Sequence, residues 1–306
     1  MRQLTTAALV LTTSVLTTSV LLGAPASAMV PPGVTGDPGP HRSARACEGA
    51  VLGVDNDGHV RDYTIVDGRV VKQRRASKKI LFDVTAWGYF DSVKQGRDST
   101  LRLNAVTADG QPRRISLELT RHGGIAYHGA FNYRQRSFSP ALFADNYSYY
   151  AYTLDQGSLK RWTLTKFSDK HVKYVHPALV HRGMSDLTSL QATAITKVRG
   201  VPSEILYATT SSGRLLQVVV PFAHPGRARV HTLASSGYEG VTELSWTVCN
   251  PRGTGDQHAL VAIDATGNRA TWTTIEHAYR NPRATLRGPV TDAVPTPTEW
   301  RLSAAL

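Results

Sequence analysis

The chain has 306 residues, with 35 Lys and Arg against 23 Asp and Glu, a formal net charge of +12 and an isoelectric point near 9.9. After residue 28, no stretch reaches the roughly 18 apolar residues that a membrane-spanning helix needs. No long helical spacing of apolar residues survives the interspersed Gly, Pro, Thr and Ser. These features predict an all-β protein without a membrane span, and the excess positive charge favours an anionic partner.

Residues 1–28 have the three parts of a secretory signal peptide. Arg2 supplies a charged start, residues 7–22 form an apolar stretch, and Ala26-Ser27-Ala28 is a small-residue cleavage site. Residues 29–46 are rich in Pro and Gly without periodicity, which predicts a flexible leader. Residues 47–306 are predicted to form a single domain. The protein is therefore expected to be secreted and extracellular.

A hairpin pattern centred on glycine recurs five times in the predicted domain. Each copy has two runs in which apolar side chains alternate along the sequence, separated by a polar residue and a glycine. This pattern is typical of two short strands joined by a tight turn. The turn glycines are Gly58, Gly110, Gly157, Gly213 and Gly267. Their separations of 52, 47, 56 and 54 residues suit four-stranded blades and are too long for most helical repeats. The sequence therefore predicts an all-β, five-bladed β-propeller.

A second signature, an aliphatic residue followed by Thr, lies 26 residues before three of the turn glycines, at Val84, Leu187 and Val241. Phe131 begins a degenerate copy at the same offset in the third repeat, and in the first repeat this position falls in the leader. The first blade therefore lacks one strand. The signature recurs at residues 290–293, which are predicted to supply that strand. A ring closed by this C-terminal strand leaves no open sheet edge at the seam.

The two cysteines are 202 residues apart in sequence, but the first and last repeats are neighbours in a closed ring. Cys47 precedes the first hairpin, and Cys249 ends a predicted strand of the fifth repeat. Because export makes a disulfide admissible, we expect these two residues to form one. The alternative is a pair of buried, unpaired thiols.

Most of the excess positive charge follows the hairpins, in segments predicted to be outer blade strands. These residues are Lys72, Arg74, Arg75, Lys78, Lys79, Lys170, His171, Lys173, His176, Arg227, Arg229, His231, Arg280, Arg283 and Arg287. A basic rim of this kind favours an anionic surface or polymer. The alternative is that these side chains only guard sheet edges against aggregation.

Further basic residues lie in the predicted loops before the first strand of each hairpin. Lys94 and Lys197 stand 16 residues before their turn glycines, and Arg97, Arg199 and Arg252 lie close to the same offset. Equivalent loops of equivalent blades project to one face of a propeller, where binding sites commonly lie. We expect these five residues to help bind an anionic polysaccharide or phosphate.

Aromatic residues give a second route to a ligand, because sugar rings stack on Trp and Tyr. Trp87 and Tyr89 lead into the first of these loops, and Tyr150 and Tyr152 lie in the third repeat. Trp87 and Tyr89 therefore join the five loop cations as predicted ligand-binding residues. The alternative is that aromatic residues in strands belong to the core.

Catalysis has little support in the sequence, since no motif of a catalytic nucleophile, zinc protease, phosphate loop or dinucleotide site is present. His171, His176 and His181 are five residues apart, which sends them to alternate strand faces, so neither a metal nor another cofactor is expected. A glycoside hydrolase would need carboxylates in a central funnel. The candidates are Asp55, Asp83, Asp155, Asp186 and Asp264, and Asp55, Asp155 and Asp264 occupy turn positions that Asp favours anyway.

The hairpins, with alternating aliphatic residues, a polar pair, Gly, and then an aliphatic and an aromatic residue, resemble those of the tachylectin-2-like family of five-bladed propellers. The resemblance covers Cys47 to about residue 293. Members of that family are lectins that bind N-acetylated amino sugars near the blade junctions, so the resemblance implies glycan binding. It assigns no individual site residue in this chain.

We therefore predict a secreted, monomeric, lectin-like protein that binds carbohydrate or an anionic cell-surface polymer without catalysing a reaction. No specific nucleic-acid partner is expected. Two alternatives remain open. One is a five-bladed propeller glycoside hydrolase, and the other is a structural or protein-binding platform, which would expose an apolar patch at one face of the ring.

Overall fold

The structure is a computed structural model that describes residues 47–55, 57–66, 68–80, 84–95, 98–107, 110–120, 124–132, 142–146, 150–168, 171–249, 257–264, 270–280, 284–291 and 300–305. The predicted signal peptide (1–28) and leader (29–46) lie outside these residues. No helix within the described ranges has the length and apolar character needed to cross a membrane. One short 3-10 helix, Pro225–Arg227, accompanies the strands there.

The strands, in chain order, are β1 (Glu48–Asp55), β2 (His59–Val66), β3 (Arg69–Lys79), β4 (Val84–Gln95), β5 (Asp98–Thr107), β6 (Pro112–Leu119), β7 (Ile125–Asn132), β8 (Leu142–Asn146), β9 (Tyr150–Asp155), β10 (Ser158–Ser168), β11 (His171–His181), β12 (Leu187–Val198), β13 (Val201–Thr210), β14 (Leu215–Pro221), β15 (Arg229–Ala234), β16 (Val241–Val248), β17 (His258–Asp264), β18 (Ala270–Glu276), β19 (Thr285–Thr291) and β20 (Trp300–Ala305).

These strands form five four-stranded antiparallel sheets, the blades. From the inside outward their orders are β20-β1-β2-β3, β4-β5-β6-β7, β8-β9-β10-β11, β12-β13-β14-β15 and β16-β17-β18-β19. The innermost strands contact one another in a cycle, β20 with β4, β4 with β8, β8 with β12, β12 with β16, and β16 with β20. This closed cycle confirms the predicted five-bladed propeller.

The middle strands carry the core, because neighbouring blades cover both faces of each sheet. In β13 every residue from Ser203 to Thr210 is buried, and in β14 so is every residue from Leu215 to Val220. Such strands read as continuous runs of Leu, Val, Ile, Tyr and Thr instead of a strict alternation. The outermost strands differ, since β3 is mostly exposed.

The ring is closed by the C-terminal strand, as predicted, but by a different segment. β20 pairs antiparallel with β1, with Leu302 opposite Val54 and Ala305 opposite Val51. The prediction that residues 290–293 supply this strand is wrong. Val290 and Thr291 lie in β19 and pair with β18, as the outermost strand of the fifth blade. An aliphatic-Thr pair suits any half-buried strand, so the signature did not distinguish an inner strand from an outer one.

The prediction that Phe131 begins the corresponding strand of the third repeat is also wrong. Phe131 lies in β7, the outermost strand of the second blade. The innermost strand of the third blade is β8, which begins later, at Leu142. The signatures at Val84, Leu187 and Val241 do begin innermost strands, namely β4, β12 and β16.

The turn glycines join the second and third strands of the blades. Gly58, Gly110, Gly157 and Gly213 have φ values of 83, 74, 72 and 78°, a left-handed region that favours glycine. Gly267 lies outside the described residues. Three of the glycine carbonyls also accept hydrogen bonds from the connection to the next blade, Gly58 from Ile80 (2.8 Å), Gly157 from Met184 (3.0 Å) and Gly213 from Tyr238 (3.1 Å). We call this end of the ring the turn end and the opposite end the loop end.

Asp55 shows how a turn position stabilises the first blade. Its side chain is buried and accepts hydrogen bonds from the His59 amide (2.8 Å), Arg61 Nε (2.6 Å) and Arg75 Nε (3.1 Å). Burial alone raises the pKa of this carboxyl, but the hydrogen bonds from Arg61, His59 and Arg75 outweigh it and hold the pKa below its usual value.

We expect Asp55→Asn to lower the free energy of unfolding by about 2 kcal/mol at pH 7, because the charge-assisted bonds are lost. The folded-state pKa lies below the unfolded-state value of about 4. The carboxylate therefore stabilises the fold above about pH 4, and this contribution is lost as the pH falls through the folded-state pKa. In urea unfolding, the difference between the two proteins should be full at pH 7 and should shrink progressively as the pH is lowered below about 4.

Asp57→Asn is the matched control for this prediction. The Asp57 side chain is 71% exposed and contacts the same Arg75 at 2.9 Å, and exposed ion pairs contribute little. A loss as large in Asp57→Asn as in Asp55→Asn, or a loss that does not change with pH, would contradict the expectation.

Candidate functional site

The loop end of the ring holds the predicted disulfide. Cys47, directly before β1, and Cys249, directly after β16, are buried and bonded, with their sulfur atoms 1.97 Å apart and their Cα atoms 4.6 Å apart. The Cys249 amide also donates to the carbonyl of Gln257 (2.8 Å). The bond joins the first and fifth blades beside the strand that closes the ring, which confirms the predicted pairing.

The predicted ligand-binding cations are only partly described. Lys94 and Lys197 hold the same backbone register, each one residue before the end of its strand, opposite Ser99 in β5 and Pro202 in β13. Lys197 and Arg199 are exposed. Arg97 and Arg252 lie outside the described residues, and Lys94 and Tyr89 are described only by their backbone.

Trp87 lies in the core and not at the surface, where a residue that stacks on a sugar must lie. Its side chain is 3% exposed and packs in the cluster of apolar residues shared by the first two blades, which includes Leu103 and Ile115. This ring therefore presents no face to solvent.

An arginine packs beside two aromatic rings where the third and fourth blades meet. The guanidinium carbon of Arg161 is 4.2 Å from the ring centroid of Tyr150 and 5.8 Å from that of Phe222. The two rings meet edge to face, with centroids 5.2 Å apart, and Arg161 Nη2 donates to the Phe222 carbonyl (2.9 Å). These contacts combine cation–π and aromatic attraction. We call Tyr150, Arg161 and Phe222 the junction site.

A buried carboxylate lies beneath the junction site. Glu204 is fully buried, accepts a hydrogen bond from the Tyr152 hydroxyl, and its Oε2 is 3.6 Å from Arg161 Nη1. Burial, and then the neighbouring Glu204, raise the pKa of Tyr152 well above its usual value, so the phenol stays protonated and donates. The Arg161 charge compensates the buried carboxylate, and this holds the guanidinium in place beside the rings.

The contact between the third and fourth blades, which we call a joint, has a counterpart between the fourth and fifth blades. The counterpart has the same layout but different side chains. The Tyr207 hydroxyl lies 2.7 Å from His258 Nδ1, and Gln217 donates to the carbonyl of Ala278 (2.9 Å). Tyr152 pairs with Arg161 across its hairpin as Tyr207 pairs with Gln217. In both joints the carbonyl acceptor follows the third strand of the next blade. The two joints are thus one repeated way of fastening neighbouring blades.

Of these two contacts between blades, only the first has a charged side chain, the buried Arg161, next to an exposed ring. Phe222 is 36% exposed. In the other joint, His258 is fully buried, with Tyr279 and Trp246 packed on it at ring-centroid distances of 5.1 Å each. The second contact lacks the charge because Gln217, an uncharged residue, stands at the position equivalent to Arg161.

The junction site lies beside two of the predicted cations. The Phe222 amide donates to the carbonyl of Pro202 (2.9 Å), and Pro202 is the residue opposite Lys197 in the β12–β13 hairpin. The tip of that hairpin exposes Arg199 and Val201, the latter by 51%. The structure therefore brings Lys197 and Arg199 to the same end of the fourth blade as Phe222.

The sequence patterns did not single out Arg161, Glu204 or Phe222. A signal was nevertheless present, because Glu204 and His258 each stand nine residues before a turn glycine. An ionisable residue repeated at one offset in strands that are otherwise apolar indicates a repeated polar joint.

The carboxylates proposed for catalysis are dispersed. Asp155 pairs with Lys160 (2.6 Å), and Asp186 pairs with Arg214 (2.7 Å). Asp55 and Asp264 end strands of the first and fifth blades, and Asp83 lies outside the described residues. Within the described ranges, no group of three or more His, Cys, Asp or Glu residues is placed to hold a metal ion.

Comparison with known proteins assigns no family. No protein-family model matches the chain, and no curated protein matches it. Among solved structures, AofleA from Arthrobotrys oligospora is 10% identical, with 81% of this chain and 72% of that chain covered and a TM-score of 0.44. The fucose-specific lectin from Aleuria aurantia is 9% identical, with 81% and 79% covered and a TM-score of 0.40, and its fold is described as six-bladed.

A functionally unknown protein from Desulfotomaculum acetoxidans is also similar, at 11% identity and a TM-score of 0.35. The match covers 79% of this chain, which spans only 65% of that chain's length. These TM-scores are too low to assign a ligand. The fold assignment rests on the five sheets themselves, and the tachylectin-2-like resemblance stays a prediction.

Proposed function

We propose that the protein is a secreted, lectin-like monomer that binds carbohydrate at the loop end of the third and fourth blades without catalysing a reaction. The observation that carries the proposal is the junction site, where the exposed Phe222 ring and the partly exposed Tyr150 ring pack beside Arg161, whose side chain is 9% exposed. Aromatic rings stack on the apolar faces of sugars, and a guanidinium donates to hydroxyl or carboxylate oxygens. Lys197 and Arg199, exposed at the same end, favour an acidic polysaccharide.

Preorganisation supports this role for the junction site. Arg161 is fixed by the Phe222 carbonyl and by the nearby Glu204 carboxylate, so little side-chain entropy remains to be lost when a ligand binds. The disulfide between Cys47 and Cys249 suits an extracellular protein, since such bonds persist in oxidising compartments. The pairing of Asp155 and Asp186 with basic residues supports binding over glycoside hydrolysis.

The test is a glycan array at physiological salt, followed by titration calorimetry with the best ligand on two variants. Phe222→Ala removes the exposed ring, and we expect its affinity to fall about tenfold, equivalent to about 1.4 kcal/mol. Thr285→Ala is the control, because Thr285 is exposed on the outermost strand of the fifth blade, and its affinity should be unchanged. A blank array, or equal affinities for wild type and Phe222→Ala, would overturn the proposal.

A protein-binding platform is the second candidate, because three large apolar side chains are exposed near the loop end of the fourth blade. Ile195, Val201 and Phe222 are 37, 51 and 36% exposed, and exposed apolar groups of this kind mark interaction surfaces. The glycan array separates the two functions, since a platform would leave it blank.

A further inference from the structure

The outermost strand of the first blade, β3, is basic along its whole length. Its eleven residues include no acidic residue. The basic ones are Arg69, Lys72, Arg74, Arg75, Lys78 and Lys79. β3 ends its sheet, so no strand of that sheet pairs with its outer edge. The outward amide N–H groups of an edge strand are available to an acceptor, and here they lie among cations.

Two irregularities turn neighbouring cations toward solvent. The register between β2 and β3 shifts between Thr64 and Ile65 and again between His59 and Arg61. A β-bulge breaks the strict alternation of faces. As a result residues 71–73 and residues 77–79 are each exposed in succession, which places Lys72, Lys78 and Lys79 in solvent together.

The carboxylates near β3 are already engaged. Asp62 pairs with Arg74, and Asp55 and Asp57 both pair with Arg75. Among the described residues, no carboxylate forms an ion pair with Arg69, Lys72, Lys78 or Lys79, all of which are exposed. Four cations that form no ion pair with a described carboxylate therefore face solvent along one strand, and one of them, Lys72, lies close enough to Asp62 to interact with it electrostatically.

The length and composition of β3 define the class of ligand. Eleven residues at about 3.3 Å each span about 35 Å, which suits an extended polymer better than a single small anion. The strand contains no aromatic residue, so it offers no surface on which nucleobases could stack. We propose that β3 is a binding surface for a linear polymer, other than a nucleic acid, that carries phosphate or sulfate groups. This surface is independent of the junction site.

The test compares two charge-matched triple variants of the mature protein. Lys72→Gln/Lys78→Gln/Lys79→Gln alters β3. Lys173→Gln/Arg227→Gln/Arg229→Gln removes the same charge from exposed positions on the third and fourth blades. The probes are inorganic polyphosphate and heparin, which distinguish phosphate from sulfate, with neutral dextran as a blank.

The β3 variant should lose tenfold or more in affinity for at least one polyanion and show a shallower salt dependence, since fewer counterions are released. The control variant should lose less than threefold. Equal losses in both variants would show that only net charge matters. An unchanged affinity with increased aggregation would show that these lysines only guard the edge. Oligothymidylate binding tenfold tighter than polyphosphate of equal charge would indicate a nucleic-acid surface. Each of these three results overturns the proposal.

The two proposals fail separately. If the glycan array shows no binding to unsulfated glycans but polyphosphate or heparin binding follows the β3 substitutions, the junction-site function is wrong and the β3 surface stands. Unchanged neutral-glycan binding by the β3 variant is expected, because β3 and the junction site lie on different blades.

Discussion

A chain that ends at residue 299 is expected to lose at least about 5 kcal/mol of its free energy of unfolding. A loss of this size can equal the entire free energy of unfolding of a domain. The truncation removes β20 and so the innermost strand of the first blade. Leu52 and Val54 of β1, now buried, would then lie on an open sheet edge. The contacts of β20 with β4 and β16 would also be lost, so the ring would no longer be closed.

Urea unfolding followed by circular dichroism, together with size-exclusion chromatography, measures this effect. Removing Leu306 alone is the control, because β20 ends at Ala305, and it should change stability by less than about 0.5 kcal/mol. A synthetic peptide of residues 299–306 should partly restore the truncated chain by strand addition. A truncated chain that unfolds cooperatively within about 1 kcal/mol of wild type would show that β20 does not hold the ring closed.

Loss of the disulfide is expected to cost about 3 to 5 kcal/mol. Cys47 and Cys249 are 202 residues apart, and in the chain-entropy model a cross-link over so long a loop removes about 5 kcal/mol of unfolded-state entropy. The double variant Cys47→Ser/Cys249→Ser should therefore unfold at a lower urea concentration than oxidised wild type.

Reduced wild-type protein is the matched control for the disulfide, since it has the native side chains without the bond. It should unfold close to the double serine variant. Because β20 and the disulfide act at the same seam, their effects should not add. A difference below about 1 kcal/mol between oxidised and reduced protein would contradict the entropic account.

The blade architecture could be predicted because its signal is local. A tight turn requires a residue tolerant of positive φ, and that requirement recurs at Gly58, Gly110, Gly157 and Gly213. The closing segment could not be predicted in the same way. Residues 290–293 and residues 300–305 are both suited to a strand, and which of them pairs with β1 depends on the number of strands that the fifth blade already holds.

The contacts of the junction site could not be predicted from local sequence patterns either. The register of Lys94 and Lys197 followed from equal offsets to their turn glycines. Arg161, Glu204 and Phe222 belong to two different repeats, and their contact depends on how one blade packs against the next. Trp87 was predicted to bind a ligand from its position before a loop, but that position did not reveal that its ring is buried.

The sequence by itself determined the number of repeats, the hairpin turns, the basic outer strands and the pairing of the two cysteines, because each depends on a local conformational preference or on the order of repeats in a ring. Only the tertiary structure decided which strand closes the ring, which side chains meet at the blade junctions and which cations of β3 form ion pairs. These depend on contacts between residues distant in sequence, whose energies come from burial and from pairing across blades.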